Sequence, residues 1–294
     1  MKESPTLSAS LPSRLRRVSL GPVDIALRST PGQGLAVLYI HGSLEDHRGW
    51  QATIDALQRR RSCHTVAYDR RGHGCSTDVS GQGTLSADVD DAEALIAQEL
   101  QGVAHVIGHS YGATVAMELA RRCPTRVASL FLHEPPLFGL LRDDPDLFPL
   151  LVEAKAGMSD AMSLIRAGEV ELGVEAFIDR VAFGPGTWRN GMDTETRGRM
   201  LCHADTWLDQ ARDPQRLSIS LEGLRTLVNR ATLSTGSRSL PTFDAVSKRV
   251  LEAFPQLRRV VVDGGGHDAP ATHPEVFADL VDAHLGRTPK PLPS

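Results

Sequence analysis

The sequence predicts a mostly parallel, doubly wound α/β sheet with one inserted helical cap. Apolar, strand-length runs alternate with helix-periodic segments as far as residue 133. The rhythm then stops between 138 and 227 and resumes at 231. Several of the short apolar runs end directly in glycine, histidine or carboxylate residues, which is where the loops of such sheets carry chemistry.

In chain order, residues 18–27 read as a short antiparallel strand or hairpin. The run Leu35-Ala36-Val37-Leu38-Tyr39-Ile40 ends in His41-Gly42 and has the continuous apolar character of a strand buried on both faces. Residues 50–60 have helical spacing. The next strand, 63–68, closes on Asp69-Arg70-Arg71-Gly72-His73-Gly74, a turn expected to be held by internal hydrogen bonds. Residues 85–100 form a helix for which Ser86 is a plausible cap, 103–108 a third buried strand, 111–121 a helix and 127–133 a fourth strand. Parallel neighbours need a crossover, and a helix usually supplies it.

Between 138 and 227 helix-favouring stretches at 147–156, 173–181 and 194–211 replace the strands, and Gly184-Pro185-Gly186 breaks them. Two domains are therefore expected: a core of residues 1–137 and 228–294, and a cap of 138–227. The alternation returns with a strand at 231–235, a helix at 242–254, a strand at 258–262 and a last helix at 274–285.

A chain of 294 residues, 41% hydrophobic and 23% charged, can bury a substantial core. Its 32 basic residues face 36 acidic ones, and a net charge of −4 offers no basic field for a nucleic acid backbone. Cys63, Cys75, Cys123 and Cys202 lack zinc-site spacing and read as reduced, mostly buried thiols of a cytoplasmic protein. The Ser/Pro-rich start, residues 1–12, has no apolar core for a secretion signal. No run approaches the roughly 20 apolar residues of a membrane helix, so a soluble protein is expected. A small-molecule substrate is the expected partner, with a homodimer as the oligomeric option and neither nucleic acid nor membrane.

Gly108-His109-Ser110-Tyr111-Gly112 places a serine between a buried strand and a helix. A sharp turn there lifts the hydroxyl above the sheet at a helix N-terminus, the position of a nucleophile. Serine needs a base, and His267 in the loop Asp263-Gly264-Gly265-Gly266-His267 is the best placed of eleven histidines. Three glycines would leave that loop free to set the ring. An oxyanion would be bound by the backbone amides of Tyr111 and Ser43, with Leu44 the second choice to Ser43. His41 reads as structural. His47, His73, His133, His203 and His273 show no spacing that puts two on one helix face, so neither metal nor cofactor is expected.

Leu38-Tyr39-Ile40-His41-Gly42, the stretch from Tyr68 through Ser76, the Ser110 motif and Gly266-His267 together resemble the α/β-hydrolase superfamily, in its order and over nearly the whole chain outside the cap. The resemblance implies a hydrolase, and Ser110 argues against the branches that use an aspartate nucleophile. It also exposes a departure. Many members carry an aspartate shortly after the strand that follows the cap, and here Ser239 stands in that place. Glu134, directly after the 127–133 strand and before Pro135-Pro136, offers a substitute of the kind some members use. Asp244 and Asp263 are the competing carboxylates.

Trp188, Trp207 and His203 of the cap, with Leu44, are the candidate substrate contacts, although apolar residues at helical spacing commonly belong to a core. The expected activity is cleavage of a small or medium carboxylic ester or lactone through an acyl-enzyme. Thioester or C–C bond hydrolysis by the same residues, and a non-catalytic ligand receptor, are the alternatives.

Overall fold

The computed structural model describes residues 14–77, 83–217 and 220–287. The Ser/Pro-rich start and the outer ends of both core segments lie outside the described residues. One sheet of eight strands runs in the order β1-β2-β4-β3-β5-β6-β7-β8. The strands are β1 Leu15–Ser19, β2 Asp24–Thr30, β3 Leu35–Ile40, β4 Cys63–Tyr68, β5 Ala104–His109, β6 Val127–His133, β7 Ala231–Gly236 and β8 Arg258–Val262. Only β1 and β2 run antiparallel to their neighbours. The interior strands β5 and β6 are buried along their full length, which is why their sequences show no polar alternation.

Register decides where the chemistry emerges. Ile40 pairs with Gly108, His109 with His133, His133 with Ser234 and Gly236 with Val262. The carboxyl ends of β3, β5, β6, β7 and β8 are therefore level, and the residues that follow them surface along one edge. Strand order reverses around β3, with β4 on one side and β5 on the other, so a crevice opens there between loops running in opposite directions.

Helices α1 (Gln51–Arg60) and α11 (Pro274–Leu285) cover one face of the sheet. On the other, α2 (Leu85–Glu99) and α3 (Tyr111–Arg122) merge into a hydrophobic core that continues into the insertion. Helix α2 is capped by Thr84, whose side chain accepts from the Ala87 amide, and not by Ser86, which lies inside its first turn. Between β6 and β7 the described residues form helices and turns without strands: α4 (Phe148–Arg166), α5 (Val170–Phe177), α6 (Thr194–Cys202), α7 (Ala204–Ala211) and α8 (Glu222–Arg225). The Gly184-Pro185-Gly186 break is stabilised by Asp179, whose carboxylate accepts the amides of Gly186 and Trp188. Helix α9 (Pro241–Ala253) and the short α10 (Ala269–Thr272) complete the core.

The cysteines differ from expectation: Cys63 is buried, Cys123 half-buried, and Cys75 and Cys202 are exposed, all four unpaired. No helix among the described residues is long and apolar enough to cross a membrane.

Arg70 ties the site loops to the core. It is fully buried and donates to Asp88 at 2.9 Å, to the Gly42 carbonyl at 3.0 Å and to the His41 carbonyl at 3.3 Å. Its own amide donates to His41 Nε2 at 3.0 Å, which gives His41 its structural role. Asp88→Ala strands a buried guanidinium, and an expected loss of about 3 kcal/mol should appear as a lower denaturant midpoint. A midpoint equal to that of the unaltered chain would show that the two carbonyls suffice.

Candidate active site

Ser110 adopts φ 52° and ψ −122°, a backbone conformation that a side chain tolerates only when the surroundings impose it. Those surroundings are visible. Its amide donates to the His133 carbonyl at 2.9 Å, so the turn is pinned to the end of β6. The flanking glycines are not themselves in the left-handed region; they make room. A Cβ on Gly108 would come within 2.6 Å of the Ala113 Cα, and one on Gly112 within 2.2 Å of the Ile40 carbonyl oxygen. The strain falls on the serine, and close packing of β5, α3 and β3 maintains it.

His267 is buried, 2% exposed. Its Nδ1 lies 2.7 Å from Glu134 Oε2. A carboxylate only accepts, so Nδ1 donates and Nε2 remains the acceptor facing outward from the pair. Burial, reinforced by the neighbouring His109, holds the His267 pKa well below the usual histidine value, which keeps the ring neutral. Phe243 of α9 stacks on the imidazole at 4.2 Å and 17°, and Phe183 lies 5.2 Å away. The glycine loop is not free: Gly265 accepts from the Arg238 amide and donates to the Val262 carbonyl, which fixes it against the end of β7.

Glu134 also sits at positive φ, 47°, with its amide bonded to the Ser234 carbonyl. Its second oxygen accepts from the Gly236 amide at 2.7 Å and from Ser239 Oγ at 2.5 Å. Ser239, where the resemblance led to the expectation of an aspartate, thus donates to the carboxylate that arrives from β6. Asp244 pairs with Lys248 and Arg259 at the surface, and Asp263 is exposed. His133 sits beneath, its Nε2 3.4 Å from the Gly266 carbonyl; burial, partly offset by Glu134, lowers its pKa to about 3.

The loop after β3 approaches from the other side. A Cβ on Gly42 would lie 3.1 Å from the Ser110 Cβ, and Leu44 adopts φ 62°. Ser43 follows Gly42 at this contact, and Tyr111 opens α3, so its amide has no acceptor within the helix. Three of the four non-glycine residues at positive φ among the described residues, Leu44, Ser110 and Glu134, therefore meet here. Glu45 binds the loop to the serine turn, accepting from the Gly42 amide at 2.8 Å and from His109 Nδ1 at 2.9 Å. Burial opposes both charges, yet their attraction outweighs it, leaving Glu45 below and His109 above its ordinary pKa.

Ser43, Ser110, Tyr111 and His267 line a common cavity of about 30 Å³, walled by apolar side chains and by Arg216. The four expected substrate contacts are not among its lining. Trp188 and Trp207 are buried in the packing of the insertion, Trp207 against Phe177 at 4.8 Å. His203 bridges to the core, its Nδ1 3.0 Å from the Leu44 carbonyl and its Nε2 accepting from the Gly74 amide at 2.9 Å. Leu44 lines a neighbouring cavity of about 270 Å³ that Phe183 also borders. Trp188 and Trp207 belong to the hydrophobic core that the insertion shares with α2 and α3. Glu45, His109, Phe243 and Arg216 escape sequence reading, since no local spacing marks them.

Asp46, His47 and Asp69 bring ligand-type atoms within 4.8 Å of one another. Each is already engaged: His47 Nδ1 lies 2.6 Å from Asp69, and Asp46 accepts from Arg48 at 2.9 Å.

The sequence model of the alpha/beta hydrolase family matches residues 37–280. A pimeloyl-[acyl-carrier protein] methyl ester esterase of Aeromonas hydrophila is 25% identical over 279 residues, covering 87% of this chain and 97% of its own. A lipase of Mycobacterium tuberculosis is 36% identical over 108 residues, 37% of this chain and 40% of its own. The crystal structure of an E-2-(acetamidomethylene)succinate hydrolase superposes with a TM-score of 0.67 at 20% identity, covering 93% of this chain and 99% of that one.

Proposed function

The chain belongs to the alpha/beta hydrolase family, and from that premise we propose that it hydrolyses a small or medium carboxylic ester or lactone through an acyl-enzyme on Ser110. The observation that carries this reading is the 2.7 Å bond between His267 and Glu134 beside a strained serine in the same cavity. Ser110 Oγ attacks the carbonyl as its proton passes to His267 Nε2. The Glu134 carboxylate stabilises the imidazolium so formed, and the Ser43 and Tyr111 amides hold the oxyanion. His267 then gives the proton to the departing alkoxide, and the acyl group stays on Ser110. Water, deprotonated by His267, attacks the ester in turn, and the acid leaves as His267 returns that proton to Ser110 Oγ.

An ester-cleaving relative spanning nearly the whole chain supports the substrate class. Thioester or C–C cleavage would employ the same residues and differs only in substrate. The receptor alternative drew on the absent aspartate after β7, and a carboxylate bonded to the imidazole takes away that ground. Residues 138–227 serve as the cap in this reading, and four unpaired cysteines fit a reducing, cytoplasmic compartment.

A fluorophosphonate probe should label the protein at one serine, identified by peptide mass as Ser110. A protein that stays unlabelled at saturating probe, while remaining folded, has no activated hydroxyl and is not a serine hydrolase.

A further inference from the structure

Beyond Ser43, Ser110, Tyr111 and His267, the cavity is walled by apolar side chains, Phe138, Met158, Phe177, Val181 and Phe243 among them, and by one arginine. Arg216, in the turn Pro214–Leu217 after α7, completes it and is only 9% exposed. A guanidinium withdrawn from water ordinarily finds a carboxylate or several carbonyls, because the cost of burying it alone is several kcal/mol. Arg70 follows that rule, with Asp88 and two carbonyls. Arg216 does not.

Among the described residues its side chain has one polar contact, the Met158 thioether at 3.9 Å, and it lies over the Trp207 ring at 5.5 Å. Asp213 is the acid whose field reaches it, yet no ion pair forms. The Asp213 oxygens accept instead from the amides of Leu85, at 2.7 Å, and Gln215, at 2.9 Å. Burial and the charge of Arg70 draw the Arg216 pKa down, and an arginine so placed is still a cation at neutral pH. A second donor stands unused nearby. Among the described residues the hydroxyl of Tyr111, another lining residue, is buried without a partner, and it lies within the field of Arg216.

We propose that Arg216, with the Tyr111 hydroxyl as second donor, binds a free carboxylate on the substrate, so that the preferred esters are half-esters of short dicarboxylic acids. This deepens the ester-hydrolase reading and rests on it. The planar fork of arginine matches a carboxylate, and a flexible, weakly accepting thioether is readily displaced by one. Met158 is then a placeholder. A cavity of about 30 Å³ holds little more than a water or two, so the ligand enters as Met158 swings away. Because Ser110 and Arg216 line the same small cavity, the carboxylate and the scissile carbonyl are separated by a short spacer.

Mono-p-nitrophenyl esters of succinate, glutarate and adipate, compared with p-nitrophenyl butyrate, valerate and hexanoate, test this directly. For the best spacer the unaltered enzyme should favour the half-ester in kcat/KM. Arg216→Gln should cut the ratio of anionic to neutral kcat/KM by about 100-fold, and Arg216→Lys should restore part of it. Glutarate alone should raise the thermal midpoint of the unaltered protein and not of Arg216→Gln. Equal or neutral-favouring rates from an enzyme that still labels at Ser110 overturn the carboxylate site and leave the hydrolase standing. If labelling and turnover both fail, the hydrolase reading falls. The glutarate shift then decides the site by itself: a shift lost in Arg216→Gln upholds it, and no shift refutes it.

Discussion

Replacing Ser110 with alanine should lower ester kcat by about five orders of magnitude or more while the thermal midpoint stays within a few degrees. The expected loss is that large because the hydroxyl supplies the bond itself, and without it no acyl-enzyme forms on the strained turn beside His267. Residual rate would come from the oxyanion amides acting on water. The Ser110 turn is held by its backbone amide, bonded to the His133 carbonyl, so removing the hydroxyl leaves that tie in place. Stopped assays on a nitrophenyl ester, paired with a melting curve, check both halves. Turnover within tenfold of the unaltered enzyme would show that the chemistry lies elsewhere.

Glu134→Gln is expected to reduce kcat by about 10³–10⁴-fold with a small change in KM. The glutamine can present its NH₂ to Nδ1, favouring the tautomer that protonates Nε2, the nitrogen that must accept from serine. It also withdraws the negative charge that stabilises the imidazolium. Asp244→Asn and Asp263→Asn, both at the surface, serve as comparisons and should stay within about twofold. A loss at either of them matching that of Glu134 would move the acid. The pH profile gives the complementary reading. Burial lowers the His267 pKa, so the neutral base persists as pH falls through 6.5 and activity is lost only on its way through a value well below that. A midpoint of the acid limb at or above 6.5 would contradict a desolvated imidazole.

Much of the fold was legible from local pattern. The runs at 35–40, 63–68, 127–133 and 258–262 are strands with those same limits; the first three are largely buried and mostly apolar, while the last is an edge strand that buries only Val262. The segment from 138 to 227 declared itself helical by composition. Less was legible in the site. Ser239 could be seen to lack a carboxylate, but that its hydroxyl donates to Glu134 depends on β7 lying beside β6 in a particular register. His203 and the two tryptophans were plausible pocket residues by type, and packing turned them inward.

The sequence by itself determined the strands, the helices and the candidate serine turn, because apolar periodicity and glycine spacing act over a few residues and record burial directly. The tertiary structure alone decided which side chains meet. The Glu134–His267 bond spans 133 residues and the Glu45–His109 pair 64, distances closed only by sheet order and level strand ends. Likewise, that Arg216 is buried without an ion pair among the described residues is a property of how the insertion packs on the core, and no local pattern encodes that.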